Sequence, residues 1–243
     1  MAFTPEDNSM MNYTVDARSL FGETHRNRRI LGRDEDPRGK VLYTAARGEA
    51  IVVDPDKYPA QYEKWYSELE NRASDGSNRV QRSKVLGSAF SLVSEKMKYS
   101  QEGVDDILRE NGAVNDGDKI ELSVFMEDGV GVCRHQALAV ATLLNQAKDA
   151  GHIRGDISVD KSEQWSPDGD RGGHAWVRYT SHGGDVMILD VAQGFAGTLE
   201  ESRQRQEGWN YLRPEDKMAV EAQQIGGTAV NQIIDRVPDF SSN

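Results

Sequence analysis

The chain has 243 residues, 37% of them hydrophobic and 28% charged, a composition suited to a globular domain large enough to bury its own core. Its 40 acidic against 29 basic residues leave a formal net charge of −11, which repels phosphate backbones and anionic lipid, so neither nucleic acid nor a membrane surface is expected as a partner. A single cysteine excludes an intramolecular disulfide and a cysteine-built structural zinc site.

The opening segment, MAFTPEDNSMMNYTVDARS, has no basic stretch followed by an apolar one, so no signal peptide is read and cytoplasmic residence is expected. No run of about 18 apolar residues is present to span a bilayer. Residues 1–38 are polar and aperiodic and are expected to form a loosely docked arm. The basic run Arg26–Arg33 is followed at once by Asp34, Glu35 and Asp36, which argues for local pairing rather than a binding patch. Two β-rich runs between Val41 and Asp54 predict a hairpin turning at Ala46–Glu49, and a short helix is expected over Ala60–Arg72. Residues 39–75 are read together as an extension ahead of the main domain, which is placed at 76–240.

From Asn78 to Met97 the apolar residues Val85, Leu86, Ala89, Phe90, Val93 and Met97 recur at spacings of three and four and predict an amphipathic helix. A second short helix is expected over Asp105–Glu110, and a strand, or an irregular approach to the next element, over Lys119–Glu127. The segment GVGVCRHQALAVATLLNQA opens with glycines and turns helical, with an apolar stripe wide enough for a buried helix that Gly151 ends. Ile157–Val159 reads as a weak strand and Ser166–Gly173 as a loop. HAWVRYT and DVMILDV read as two strands joined by a turn at Ser181–Gly184. Helices are expected at Pro214–Gln224 and, weakly, at Thr228–Arg236.

Cys133 stands after Gly129-Val-Gly131-Val at the start of the predicted core helix. Free N–H groups and the macrodipole at a helix N-terminus favour a thiolate and can face an oxyanion. A thiolate nucleophile needs a base, and the base needs a carboxylate to fix its tautomer. His174 opens one predicted strand and Asp190 closes the next. Paired strands lie about 4.8 Å apart, so an imidazole and a carboxylate on one face can touch. His135 is two residues from Cys133 and faces another side of the helix. A structural hydrogen bond is expected for it and for Arg134, which reaches a carboxylate or the substrate rim. Trp176 is expected to alternate away from His174 and pack in the core or against the helix. Asp116–Asp118 and Asp168–Asp170 lack the glutamate of a calcium loop and read as acidic turns, so no metal is assigned.

Gly131-Val132-Cys133 opening a buried helix, His174-Ala175-Trp176 on a strand and Leu189-Asp190 on the next follow the order of the transglutaminase-like superfamily. The helix ending in Met97-Lys98-Tyr99-Ser100 is similar to the family's helix that ends near a tyrosine. The stretch GVCRHQALAVATLL, with GGHAW later, resembles the members found ahead of some plant protein kinases. The resemblance covers roughly residues 78–200. It implies an α+β, papain-like fold in which the nucleophile helix packs on an antiparallel sheet. It also implies Cys133, His174 and Asp190 as a catalytic triad acting on amides through a thioester, with no metal or cofactor. Gly131, Gly173, Trp176 and Gln193 are the substrate-binding candidates, Gln193 also as oxyanion helper. Hydrolysis of a protein or peptide substrate is expected ahead of glutamine transamidation or deamidation. A catalytically silent peptide-binding module of the same fold is the rival of a different class. Oligomeric state and substrate identity are left open.

Overall fold

The computed structural model describes residues 24–43, 49–165, 171–205 and 209–217 and is a mixed α+β structure. Residues up to Gly208 and from Trp209 onward separate into two units. In the second unit, residues 214–217 form a helical turn, started by the Arg213 N–H donating to Asp216 Oδ2 at 2.8 Å. The rest of the helix expected at 214–224, and the one at 228–236, lie outside the described residues, as do the turn at 44–48 and residues 1–23.

The first unit begins with a two-residue hairpin, β1 (Thr24–His25) and β2 (Arg28–Arg29). The expectation of a loose arm fails for its described part, because Ile30 and Leu31 are buried. The basic run there is paired as its acidic neighbours suggested: Arg28 with Asp54, Arg29 with Glu35, and Arg26 with Asp118 at 2.9 Å. β3 (Val41–Leu42) and β4 (Ala50–Val52) are the expected antiparallel hairpin. β4 then pairs in parallel with β6 (Lys119–Glu121), a long-range contact with no local signature. Leu31, Leu42, Ile51, Val53, Trp65 and Leu69 belong to one buried cluster with residues of the central helix, so residues 39–75 help build the main core.

Helix α1 spans Pro59–Ala73, with proline at its first position where the missing N–H costs nothing. Helix α2 spans Arg82–Lys96 and buries Val85, Ala89, Leu92 and Val93. It starts four residues later than its periodicity suggested, because Asn78 has φ 61° and Ser74 bridges Val80. Ser100 caps helix α3 (Gln101–Glu110) by accepting from the Gly103 N–H at 3.0 Å, which lengthens that helix toward its N-terminus. The strand expected over Lys119–Glu127 ends at Glu121 and gives way to helix α4 (Leu122–Asp128). Leu122, Phe125 and Met126 are buried at helical spacing, and burial of that set wins over the weak alternation read from the sequence.

Helix α5 (Cys133–Asp149) is the centre of the unit, with thirteen of its seventeen residues buried. It packs against α1, α2 and α4 and against the antiparallel sheet β8 (Gly155–Trp165), β9 (Arg171–Ser181) and β10 (Val186–Asp190). That sheet continues to β11 (Phe195–Thr198) in the order β11-β10-β9-β8, and helix α6 (Leu199–Arg203) follows. The weak strand expected at Ile157–Val159 is eleven residues long, and β9 starts at Arg171, inside the stretch read as a loop. No helix among the described residues is long and apolar enough to cross a membrane.

Candidate active site

The approach to Cys133 is built by two glycines. Gly129 ends α4 in the left-handed conformation, at φ 67° and ψ 30°. A side chain there would also meet the Lys96 carbonyl at 2.7 Å. The chain then forms β7 (Val130–Gly131), paired in parallel with β5 (Lys98–Tyr99) so that Tyr99 lies opposite Gly131. A Cβ on Gly131 would lie 2.7 Å from Met97 Sδ and 2.8 Å from His135 Cβ. Gly131, expected at the substrate, is therefore a point of close packing that lets α2, β7 and α5 converge.

Cys133 is the first residue of α5, and its own N–H stands outside the helical ladder. The residue is 7% exposed. Its Sγ lies 4.0 Å from the Gly173 carbonyl oxygen. His174 and Asp190 are also buried, and His174 Nε2 lies 2.5 Å from Asp190 Oδ2. That contact engages Nε2, and the imidazole and thiol are near enough for each to shift the other's ionisation. The three residues expected from sequence are thus brought together. Asp190 Oδ1 accepts the Gln193 N–H at 3.1 Å, so Gln193 supports the carboxylate through its backbone while its side chain faces solvent.

The ionisation of the pair follows from these contacts. Burial pushes the Cys133 thiol up, but His174, the Ala175 N–H and the Arg134 charge outweigh it and hold the thiol below its ordinary range. Burial pushes His174 down, but Asp190 and Cys133 outweigh it and raise the imidazolium to about 9. Both shifts favour a thiolate–imidazolium pair over the neutral thiol and imidazole.

Trp176 corrects one sequence reading. Residues two apart on a strand share a face. Trp176 accordingly lies beside His174, ring centroids 5.8 Å apart, and is fully buried. It walls the imidazole rather than offering surface to a substrate. Gly173 is exposed, with open space where a side chain would stand. Tyr99 is a functional candidate that sequence reasoning does not single out. It is 60% exposed. Burial of its ring edge, then the nearby Cys133 and Asp190 charges, push its hydroxyl pKa up, while Arg134 opposes them. Its signal is its place just after α2, in the strand β5 that pairs with β7.

Beneath the first turn of α5, Arg134 donates to Glu49 through Nε at 2.7 Å and Nη2 at 2.9 Å. His135 is fully buried with Nε2 3.0 Å from Glu49 Oε1, and its Nδ1 accepts the Val132 N–H at 3.2 Å. Arg134 therefore reaches a carboxylate and His135 is structural, as their spacing from Cys133 suggested. Among the described residues no group of three or more His, Cys, Asp or Glu could hold a metal ion. An open depression of about 590 Å³, lined by Asp36, Arg38, Tyr62, Glu63 and Gln146 among others, includes none of Cys133, His174 or Asp190. Comparison with protein-family models, with characterised proteins and with solved structures finds no match to the chain.

Proposed function

We propose that the chain is a transglutaminase-like cysteine enzyme that breaks amide bonds by acyl transfer through Cys133. The observation that carries this reading is the placement of one buried imidazole between a carboxylate, 2.5 Å from Nε2, and the sole thiol, at the start of a buried helix. The fold reading is supported by a Cys-bearing helix packed on the antiparallel sheet that bears His174 and Asp190.

In this mechanism the Cys133 thiolate attacks the carbonyl carbon of the substrate. The Cys133 N–H and the positive end of α5 face the developing oxyanion. Tyr99, exposed beside Gly131, lines the rim where the substrate enters. His174 Nδ1–H protonates the departing amine, and a thioester remains on Cys133. His174, now neutral, takes a proton from water, whose oxygen attacks the thioester and releases the acid. An amine taking the place of that water gives transamidation. Asp190 holds His174 in the one tautomer that can do both steps.

The test is incubation with a glutamine-rich protein such as casein and a labelled primary amine. Release of ammonia or of new termini without incorporation supports hydrolysis, and incorporation supports transamidation. Neither product from the wild-type chain, with iodoacetamide alkylation as slow as that of a free thiol, defeats the enzyme proposal. The small exposure of Cys133, 7%, is the observation that favours the rival reading, a silent module that binds peptides in its groove. That reading predicts the same slow alkylation together with saturable peptide binding.

A further inference from the structure

The Glu49–Arg134–His135 cluster is a second buried set of titratable groups that the proposed chemistry does not use directly. Glu49 is 4% exposed. It precedes β4, and the next residue, Ala50, is fixed by donating to the Asp118 carbonyl at 2.8 Å. From that strand it reaches onto α5 and takes both guanidinium bonds of Arg134, at 2.7 and 2.9 Å. Its Oε1 also lies 3.0 Å from His135 Nε2. Because His135 Nδ1 accepts the Val132 N–H, the ring proton belongs on Nε2, close to Glu49 but out of line for a hydrogen bond to it. The His135 ring also packs against Phe125, centroids 4.0 Å apart.

A buried ion pair is a poor way to gain stability, since desolvation consumes most of the attraction. Its position gives it another use. Arg134 and His135 are the two residues after Cys133, and their side chains fix the first turn that aims the sulfur. We propose that Glu49 is a positioning residue for Cys133, a carboxylate brought from the β4 side that clamps the first turn of α5 and cancels the Arg134 charge beside the thiol. This rests on the reading of Cys133 as the nucleophile.

The charges around the cluster give the proposal a sign. Burial pushes Glu49 up, but His135 and Arg134 outweigh it and hold its carboxyl well below the usual range. Burial keeps His135 below its ordinary value despite Glu49. Near neutral pH the cluster is thus a Glu⁻–Arg⁺ pair with a neutral imidazole. The other titratable groups facing the thiol are His174 and Tyr99, with Asp190 behind His174. Removing the Glu49 charge leaves Arg134 uncompensated, which favours the thiolate. Removing Arg134 instead disfavours it.

The test is the rate of iodoacetamide alkylation against pH in the full chain, where Cys133 is the sole cysteine. Glu49→Gln is expected to lower the plateau rate roughly tenfold, because the first turn loses its clamp. It is also expected to move the acidic limb down by roughly half a pH unit, as a nearby unit charge would. Arg134→Gln is expected to move the limb up. In the double variant the limb returns to its wild-type position while the plateau stays low. A folded Glu49→Gln with the wild-type profile overturns the proposal. If Glu49→Gln does not fold, Arg134→Gln decides alone, and an unmoved limb with an unchanged plateau overturns the proposal. A wild-type thiol that alkylates sluggishly, unaffected by His174→Ala, instead removes the nucleophile reading itself.

Discussion

His174 and Asp190 meet diagonally. In the β9–β10 register Leu189 faces Val177, so Asp190 continues opposite Trp176 and His174 lies two residues beyond it. Diagonal neighbours on one face sit about 7–8 Å apart at the backbone, within reach of an imidazole but not of a shorter side chain. The observed 2.5 Å contact therefore uses the full length of the histidine, with Trp176 filling the space beneath it.

That geometry makes Asp190 the anchor of the Nε2 edge, and Asp190→Asn the sharpest test of the arrangement. An asparagine of the same shape loses the charge that raises His174 to about 9, so the imidazolium should titrate lower. Amide turnover is expected to fall roughly 10²–10⁴-fold with little change in KM, since the group lost holds the imidazolium and its tautomer and touches no substrate. Steady-state kinetics together with an NMR titration of His174 measures both. Unchanged turnover with a lowered His174 pKa would show that Asp190 is only structural.

The thiol itself gives a pH prediction. With Cys133 below its ordinary range and His174 raised to about 9, the ion pair spans the interval between the two pKa values. Alkylation in the wild type is therefore expected to set in at a lower pH than that of an ordinary cysteine. His174→Ala removes the partner, and the thiol returns upward into the range that burial favours. On the acidic limb of the wild-type profile the rate should then fall at least about tenfold, while near pH 10 the two proteins should converge. Equal rates along the whole profile would refute the ion pair.

The parts of this site legible in the sequence are those set by local pattern. Gly131-Val132-Cys133 before an apolar run marks a helix start, and two alternating runs around Ser181–Gly184 mark a hairpin, so the helix and the strands are readable. The Glu49 clamp is not, because it depends on β4 pairing in parallel with β6, across a sequence separation no periodicity records. Helix α4 is hidden because Ile120, Leu122, Val124 and Met126 alternate as a strand would, while Leu122, Phe125 and Met126 keep helical spacing. Only burial of Leu122, Phe125 and Met126 on one side decides between them. The face that Trp176 takes is a counting matter, and the period of two places it with His174.

Glu121 predicts how stability depends on pH. Its carboxylate accepts from Tyr62 Oη at 2.7 Å and from the Asp54 N–H at 2.9 Å. Burial nevertheless dominates and lifts it from 4.5 to about 7. A carboxyl raised in the folded state holds its proton more tightly there than in the unfolded chain. Its stabilising contribution is complete below about 4.5 and is lost as pH rises through about 7. The loss is on the order of 3 kcal/mol by pH 8. Glu121→Gln keeps an acceptor for both donors and carries no charge, so it is expected to raise the unfolding midpoint at pH 8 and leave it nearly unchanged at pH 4. Urea melts at the two pH values measure this, and a variant less stable at both would reject it.

Tyr99 tests where the substrate enters. It is 60% exposed, so Tyr99→Ala removes no core contact and the melting temperature should stay within a few degrees of wild type. Its backbone pairs with Gly131, two residues before the nucleophile, and its hydroxyl feels the Cys133 and Asp190 charges. A peptide lying over Cys133 would pack on the Tyr99 ring. Loss of such an aromatic contact is expected to cost about 0.5–1.5 kcal/mol of binding, a several-fold rise in KM for a peptide amide. Iodoacetamide is too small to use the ring, so its reaction with Cys133 should be nearly unaffected. An equal loss in both reactions would mean that Tyr99 shapes the thiol rather than the entrance, and a loss in neither would place the substrate path on another side of Cys133.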